Sequence, residues 1–238
     1  MNPVLRHAAA HVIVESLDVP VLTSADEHHL ARVLRIRPTD VITVTDGTGR
    51  WVESRFVDGA LQAVGTVQIA DPPPRPADRA LTIGCAIPKG DRPEWIVQKL
   101  TELGLDRIVL FETARSVVRW DERKRPAQVE RLRRVAREAA QQSRRLVLPA
   151  VDVVTWADAV ALPAVALAEP GAPRGWWGAG DGPSTPRVRS VLVGPEGGFT
   201  DEELAVCPER VGLSAGVLRV ETAALAAGVL LTARGDDS

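Results

Sequence analysis
Val191-Leu192-Val193-Gly194-Pro195-Glu196-Gly197-Gly198-Phe199-Thr200-Asp201-Glu202-Glu203-Leu204 decides the fold of this 238-residue chain. A short apolar run with no alternation reads as a strand buried on both faces. It enters a glycine-rich turn, and the turn enters a helix. Thr200 and Glu203 have the spacing of a capping box, and Phe199 with Leu204 that of a hydrophobic staple. Glycines at 194, 197 and 198 permit positive φ and close approach of a ligand to the backbone. In open parallel sheets the crevice beyond the strand carboxyl ends is where ligands bind. The turn is neither the dinucleotide pattern GxGxxG nor a P-loop. Asp201, Glu202 and Glu203 already occupy the positive end of the helix, which disfavours a phosphate there. A tight turn without a ligand fits the same residues.

The flanking chain repeats the strand-helix alternation. Leu81–Ile87, Ile108–Phe111 and Val165–Ala168 read as buried strands, and Val217–Val220 as a short one. Asp91, with Glu94 three residues on, starts a helix that Gly104 ends. Gln128–Arg145 is a long helix, Thr200–Val206 a short one, and Thr222–Thr232 an apolar final one. The class is therefore α/β with a parallel sheet covered on both sides. Residues 171–187, rich in Gly and Pro, read as a loop.

The amino-terminal part reads differently. Asp71-Pro72-Pro73-Pro74-Arg75-Pro76 is a stiff linker, which predicts domains at 1–72 and 73–238. Before it, Val12–Val14, Val41–Thr45, Trp51–Val57 and Ala63–Ile69 are short strands. Asp46-Gly47-Thr48-Gly49 is a hairpin turn. Ser24, with Glu27, caps one helix whose inward stripe is Leu30, Val33 and Leu34. A small β-barrel with one helix is expected.

Composition narrows the function. There are 29 basic and 31 acidic residues, a net charge of −2, so nucleic-acid binding needs a local basic face. No stretch approaches the ~20 apolar residues of a membrane helix, and the start lacks a signal peptide's basic and apolar regions, so a cytoplasmic protein is expected. Cys85 and Cys207 are isolated and apolar in context, which suits two buried thiols rather than a zinc ribbon. His7 and His11 lack a carboxylate to complete a metal site, and no metal is expected. No GxSxG motif or Cys–His pair supports a covalent nucleophile.

Two further motifs carry charge. Arg219 and Glu221 lie in Leu218-Arg219-Val220-Glu221-Thr222-Ala223, between apolar runs, where charge is costly unless paired or used. A structural Arg–Glu pair and a functional pair both fit. The final helix is apolar on nearly every face, which suits burial or a subunit interface. Arg133, Arg134, Arg137, Gln141, Arg144 and Arg145 line the long helix opposite its apolar face. They could track a phosphate backbone, or form a solvated face with Glu130 and Glu138.

In this order the motifs resemble the RsmE family of 16S rRNA uridine-N3 methyltransferases, in the SPOUT (α/β-knot) superfamily. The resemblance rests on Glu27-His28-His29-Leu30-Ala31-Arg32-Val33-Leu34-Arg35, on Pro88-Lys89-Gly90-Asp91-Arg92-Pro93-Glu94-Trp95 and on Gln98-Lys99-Leu100-Thr101-Glu102-Leu103-Gly104. It continues through Arg115-Ser116-Val117-Val118, Glu138-Ala139-Ala140-Gln141-Gln142-Ser143-Arg144, the GPEGG turn at 194–198 and Leu218–Ala223. One departure matters below: Gly216 stands where family members often carry Arg.

The resemblance implies a PUA-like β-barrel that holds RNA, followed by a SPOUT sheet with a trefoil knot and a homodimer. It implies S-adenosylmethionine as cofactor and the small ribosomal subunit as substrate. The cofactor would lie among three loops, Leu167–Gly171, Gly194–Gly198 and Leu213–Leu225, with Leu167 and Glu169 from the first; Val193, Gly194, Pro195, Glu196, Gly197 and Gly198 at the second; and Leu213, Ser214, Val217, Leu218, Thr222 and Ala223 from the third. Arg219, Glu221 and Glu196 would act on the target base. Arg32, Arg35, Lys89, Arg115, Arg133, Arg137 and Arg144 would contact RNA. The alternatives are a SPOUT enzyme acting on another RNA and a non-catalytic RNA-binding or ribosome-assembly protein of this fold.

Overall fold
The computed structural model describes residues 2–172 and 188–233. Most of the expected 171–187 loop lies outside these residues. The chain divides into two compact units, Met1–Arg75 with Arg137–Leu148, and Pro76–Ala136 with Pro149–Ser238. The segment 137–148, which follows the proline stretch in sequence, belongs to the first unit.

In the first unit, α1 (Pro3–His7) precedes β1 (Ala10–Ile13). There follow α2 (Ser24–His28), a π-turn at His29–Val33, and strands β2 (Ile42–Thr45), β3 (Arg50–Val57), β4 (Ala60–Ala63) and β5 (Gln68–Ile69). The sheet runs β1-β2-β3-β4, with β5 also on β3. Among the described residues no pairing joins β1 to β4 or β5. The Asp46–Gly49 turn closes the β2–β3 hairpin, with Asp46 Oδ1 accepting from the Thr48 amide at 3.0 Å. Val12, Leu30, Ile42, Val44 and Val52 form the core.

The helix of this unit corrects two expectations. Its cap is Thr23 rather than Ser24, because Thr23 is the extended residue and its Oγ1 accepts from the Asp26 amide. Of the expected inward stripe only Leu30 is buried; Val33 is 59% and Leu34 43% exposed. The π-turn shifts the helical phase just there, so residues three and four beyond Leu30 leave its face.

The second unit is a six-stranded parallel sheet. Its strands are β6 (Thr82–Ala86), β7 (Arg107–Phe111), β8 (Ala150–Val153), β9 (Val165–Ala168), β10 (Ser190–Val193) and β11 (Arg210–Val211), in the order β11-β9-β10-β6-β7-β8. The two-residue period of a strand sends alternate side chains to opposite layers. Ile83, Cys85, Ile108, Leu110, Val191 and Val193 face one core, and Ala86, Val109, Phe111 and Leu192 the other. The first core takes its helical side chains from α3 (Arg92–Leu103), α4 (Arg125–Ser143) and α7 (Val220–Ala233). The second is covered by α5 (Trp156–Val160) and α6 (Asp201–Val206). α7 comes close to α3: a Cβ on Gly228 would meet Leu100 Cδ2 at 2.8 Å.

The expected strand over Val217–Val220 is absent. Val217 is 83% exposed, and the chain stays irregular until α7 begins at Val220. β8, α5 and β11, all short, went unread in the sequence. α3 begins at Arg92, but the Asp91 side chain makes no cap hydrogen bond. No helix among the described residues is long and apolar enough to cross a membrane.

His11 is buried in the first unit. Its Nε2–H donates to the Arg145 carbonyl at 3.0 Å, and Nδ1 lies 2.8 Å from Thr43 Oγ1. A carbonyl can only accept, so the neutral ring carries its proton on Nε2. Burial pushes the imidazole down to about 4. The unfolded chain takes up this proton near the ordinary histidine value of about 6.5. Stability is therefore complete above that pH and is lost as the pH falls toward about 4, by up to about 3 kcal/mol. His11→Gln should flatten the fall in melting temperature between neutral pH and pH ~4.5 relative to wild type; equal slopes would contradict this.

Candidate active site
Three adjacent parallel strands, β11, β9 and β10, release their chains at the same end of the sheet. The loops that follow them enclose one cleft of about 630 Å³, open mouth included. Glu169 and Pro170 come from the loop after β9. Gly194, Pro195, Glu196 and Gly198 come from the loop after β10, and Leu213, Ser214, Gly216, Val217 and Leu218 from the one after β11. Val193, Phe199, Val220 and Ala223 supply apolar walls.

The turn after β10 is held from behind. Arg115 donates through one guanidinium nitrogen to the carbonyls of Gly197 and Phe199, each at 3.0 Å. The buried Glu203 bridges two segments: Oε2 accepts from the Thr200 amide at 2.9 Å, and Oε1 from the Ala114 amide at 2.8 Å. The capping box expected from sequence is complete, and the same carboxylate ties α6 to the loop after β7. Trp156 packs between Phe111 and Phe199, with ring centroids 5.5 and 5.3 Å apart. Gly194 lies over the Phe199 ring, where a Cβ would sit 3.0 Å from it.

These contacts aim the turn's carbonyls at Arg115 and leave its donors free. Gly198 N–H closes the turn on Pro195 O at 2.8 Å, and Gly198 has a φ of 68° that favours glycine. The amides of Glu196, Gly197 and Phe199 donate to no group among the described residues. After β11, the amides of Leu213, Ser214, Val217 and Leu218 are likewise without partners. Backbone donors of this kind must find partners in a ligand or in water. Apolar walls beside free donors suit a flat heterocycle with a polar, charged tail.

Of the residues expected at this site, Glu169, Val193, Gly194, Pro195, Glu196, Gly198, Leu213, Ser214, Val217, Leu218 and Ala223 line the cleft. Leu167 does not, being buried inside β9. Gly197 faces Arg115, whose Cβ would lie 3.4 Å from a Cβ added there. Thr222 is exposed on α7 outside the cleft. Ala168, Pro170, Gly216 and Val220, which fall within the expected loops without having been named, also line it, and Phe199 was not expected there. Their place immediately after a parallel strand, or at the start of the last helix, was the available signal.

The charged residues are arranged differently from expectation. Glu221 pairs with Arg92, not Arg219: Arg92 Nε lies 3.7 Å from Glu221 Oε1, and its NH1 3.4 Å from Glu196 Oε1. Glu221 Oε2 is buried without a hydrogen-bond partner. Arg219 is exposed and unpaired among the described residues. Arg92, within the quoted Lys89–Glu94 segment, was not singled out.

Of the arginines expected to track RNA along α4, three hold partners within the fold. Arg133 binds Glu130 at 2.8 Å, Asp152 at 2.9 Å and the Val151 carbonyl at 3.2 Å. Arg137 donates to the Ile13 carbonyl, and Arg144 to that of Leu5 at 2.9 Å. Arg115 serves the turn after β10. These guanidinium groups satisfy backbone and carboxylate oxygens within the fold, as planar multi-donor groups do well. Arg32, Arg35 and Lys89 remain exposed and without partners among the described residues. Both cysteines are buried and free, with burial raising the Cys85 thiol to about 12 and raising Cys207 as well, so neither serves as a nucleophile.

The family model of the RNA methyltransferase domain matches residues 75–232. Ribosomal RNA small subunit methyltransferase E of Bacillus subtilis is 32% identical over 219 residues, 86% of each chain. The chain belongs to this family. The Mycobacterium bovis protein of the same name is 32% identical over 92% of this chain and 89% of its own. Among solved structures, the Neisseria gonorrhoeae ribosomal RNA small subunit methyltransferase E bound to S-adenosyl methionine aligns with a TM-score of 0.76. It is 26% identical and covers 96% of this chain and 99% of its own.

Glu203→Ala should lower stability by about 2–4 kcal/mol in chemical denaturation, because it strands the Ala114 and Thr200 amides. Glu203→Gln, which keeps one acceptor oxygen, should lose less. Equal stability of Glu203→Ala and wild type would contradict the bridging role.

Proposed function
We propose that this protein uses S-adenosylmethionine to methylate N3 of a uridine in 16S rRNA of the small ribosomal subunit. The observation that carries this reading is the cleft at the carboxyl ends of β9, β10 and β11, whose loops present unpartnered amides beside apolar walls. Family membership and the cofactor named for the gonococcal structure point the same way.

The residues fit that cofactor. The amides of Glu196, Gly197 and Phe199 would bind its polar edges, with those of Leu213, Ser214, Val217 and Leu218 opposite. Val193, Leu218, Val220 and Ala223 would cover its adenine. When bound, it supplies an electrophilic methyl on a sulfonium sulfur, so no covalent enzyme intermediate is required. The chain's own task is to orient the uridine and remove its N3 proton. Glu221 accepts that proton through Oε2, the oxygen that has no partner, while Arg92 holds Oε1. Glu196, on the other side of Arg92, is the second candidate base, and Arg219 orients the base.

The remaining assignments follow the same reading. Residues 1–72 act as a PUA-like barrel that presents Arg32 and Arg35 to RNA, and residues 73–238 as the methyltransferase domain, with Lys89 near its start. β10 lies between β9 and β6 in the sheet, an order that suits the knotted return of the SPOUT fold. The half-exposed outer face of α7, with Val229 44% exposed, supports a homodimer. The protein works in the cytoplasm.

Titration calorimetry should detect S-adenosylmethionine binding to wild type and its loss in Gly216→Trp. Gly216 lines the cleft in open space, with nothing within 4 Å of an added Cβ, so the indole can occupy the site without strain. Unchanged binding in that variant would move the cofactor elsewhere. Glu221→Gln should keep cofactor affinity and lose methyl transfer to small subunits by about 100-fold or more, the usual worth of a general base. Full transfer by this variant would remove Glu221 from the role.

A further inference from the structure
Among the described residues the cleft is lined by two charged side chains, both carboxylates, Glu169 and Glu196, and by no cation. Their situations differ. Glu196 is compensated by Arg92 at 3.4 Å, although Arg92 is shared with Glu221. Glu169 is half-buried, and its carboxylate has no partner among the described residues. Its position is fixed by the backbone: its N–H donates to Val211 O at 3.0 Å and its carbonyl accepts from Ala172 N–H at 3.2 Å. A carboxylate held without a counter-ion in a concave, partly apolar site keeps a negative potential there and favours a cation.

We propose that Glu169 makes the cleft select the sulfonium form of the cofactor over the neutral thioether left after methyl transfer. This rests on the cofactor reading given above. S-adenosylmethionine and S-adenosylhomocysteine share adenosine, ammonium and carboxylate, and differ by one methyl and one positive charge. Loss of that charge removes the attraction to Glu169, so the product is held less tightly than the substrate. Glu196 contributes little to the discrimination, because its charge is already answered.

The test is calorimetry of both ligands with wild type, Glu169→Gln and Glu169→Asp. Wild type should prefer the sulfonium ligand. Glu169→Gln should lower the ratio of the two dissociation constants by about fivefold, the factor for a charge pair a few ångströms apart in a solvent-open site. Glu169→Asp should retain the ratio, and added salt should narrow it in wild type. Binding of both ligands with an unchanged ratio in Glu169→Gln overturns the proposal alone. Loss of both ligands together, with the fold intact by circular dichroism, gives Glu169 a role in holding their shared part and overturns it as well. If wild type binds neither ligand, the cofactor reading fails and the proposal falls with it.

Discussion
The bridging carboxylate of Glu203 and the guanidinium of Arg115 are the contacts on which the site depends. A glycine-rich turn at a strand end has many accessible conformations, and ordering it costs conformational entropy. Here one buried side chain and one partly exposed one bind amides and carbonyls on both sides of the turn. With these groups satisfied on the sheet side, the remaining amides face outward. The turn therefore resembles a preformed donor array, which reduces the cost of ordering when a ligand binds.

The parallel sheet does the rest of the positioning. Because β11, β9 and β10 run in the same direction and adjoin, their exit loops converge. The final helix closes the arrangement: Val220 and Ala223 form one wall, and Gly228 lets α7 lie close against α3. α3 in turn begins with Arg92, which reaches both carboxylates of the proposed reaction. Stability and chemistry thus use the same elements.

Much of this was legible in the sequence where local patterns and tertiary demands agree. The unbroken apolar runs of β6, β7 and β10 could only be strands buried on both faces, and Thr200 with Glu203 fixed the start of α6. Gly104 ended α3 as expected, with a φ of 94°. Failures came where a pattern had two physical solutions. Val217–Val220 has strand composition, but Val217 and Leu218 line a cleft as open chain and Val220 starts α7. Thr23 and Ser24 can each cap a helix, and backbone geometry chose the former. The arginines of α4 have the spacing of a phosphate track, yet Arg133, Arg137 and Arg144 turn to backbone carbonyls that no one-dimensional reading places beside them. Arg92 escaped notice because its carboxylate partners lie over a hundred residues away.

The central claim is that the free amides of two loops form the cofactor cradle. Amide hydrogen exchange with and without saturating S-adenosylmethionine tests it most directly. The account predicts added protection at Glu196, Gly197 and Phe199 and at Leu213, Ser214, Val217 and Leu218, with the sheet core unchanged. Saturation that leaves those amides exchanging at their ligand-free rates would contradict it.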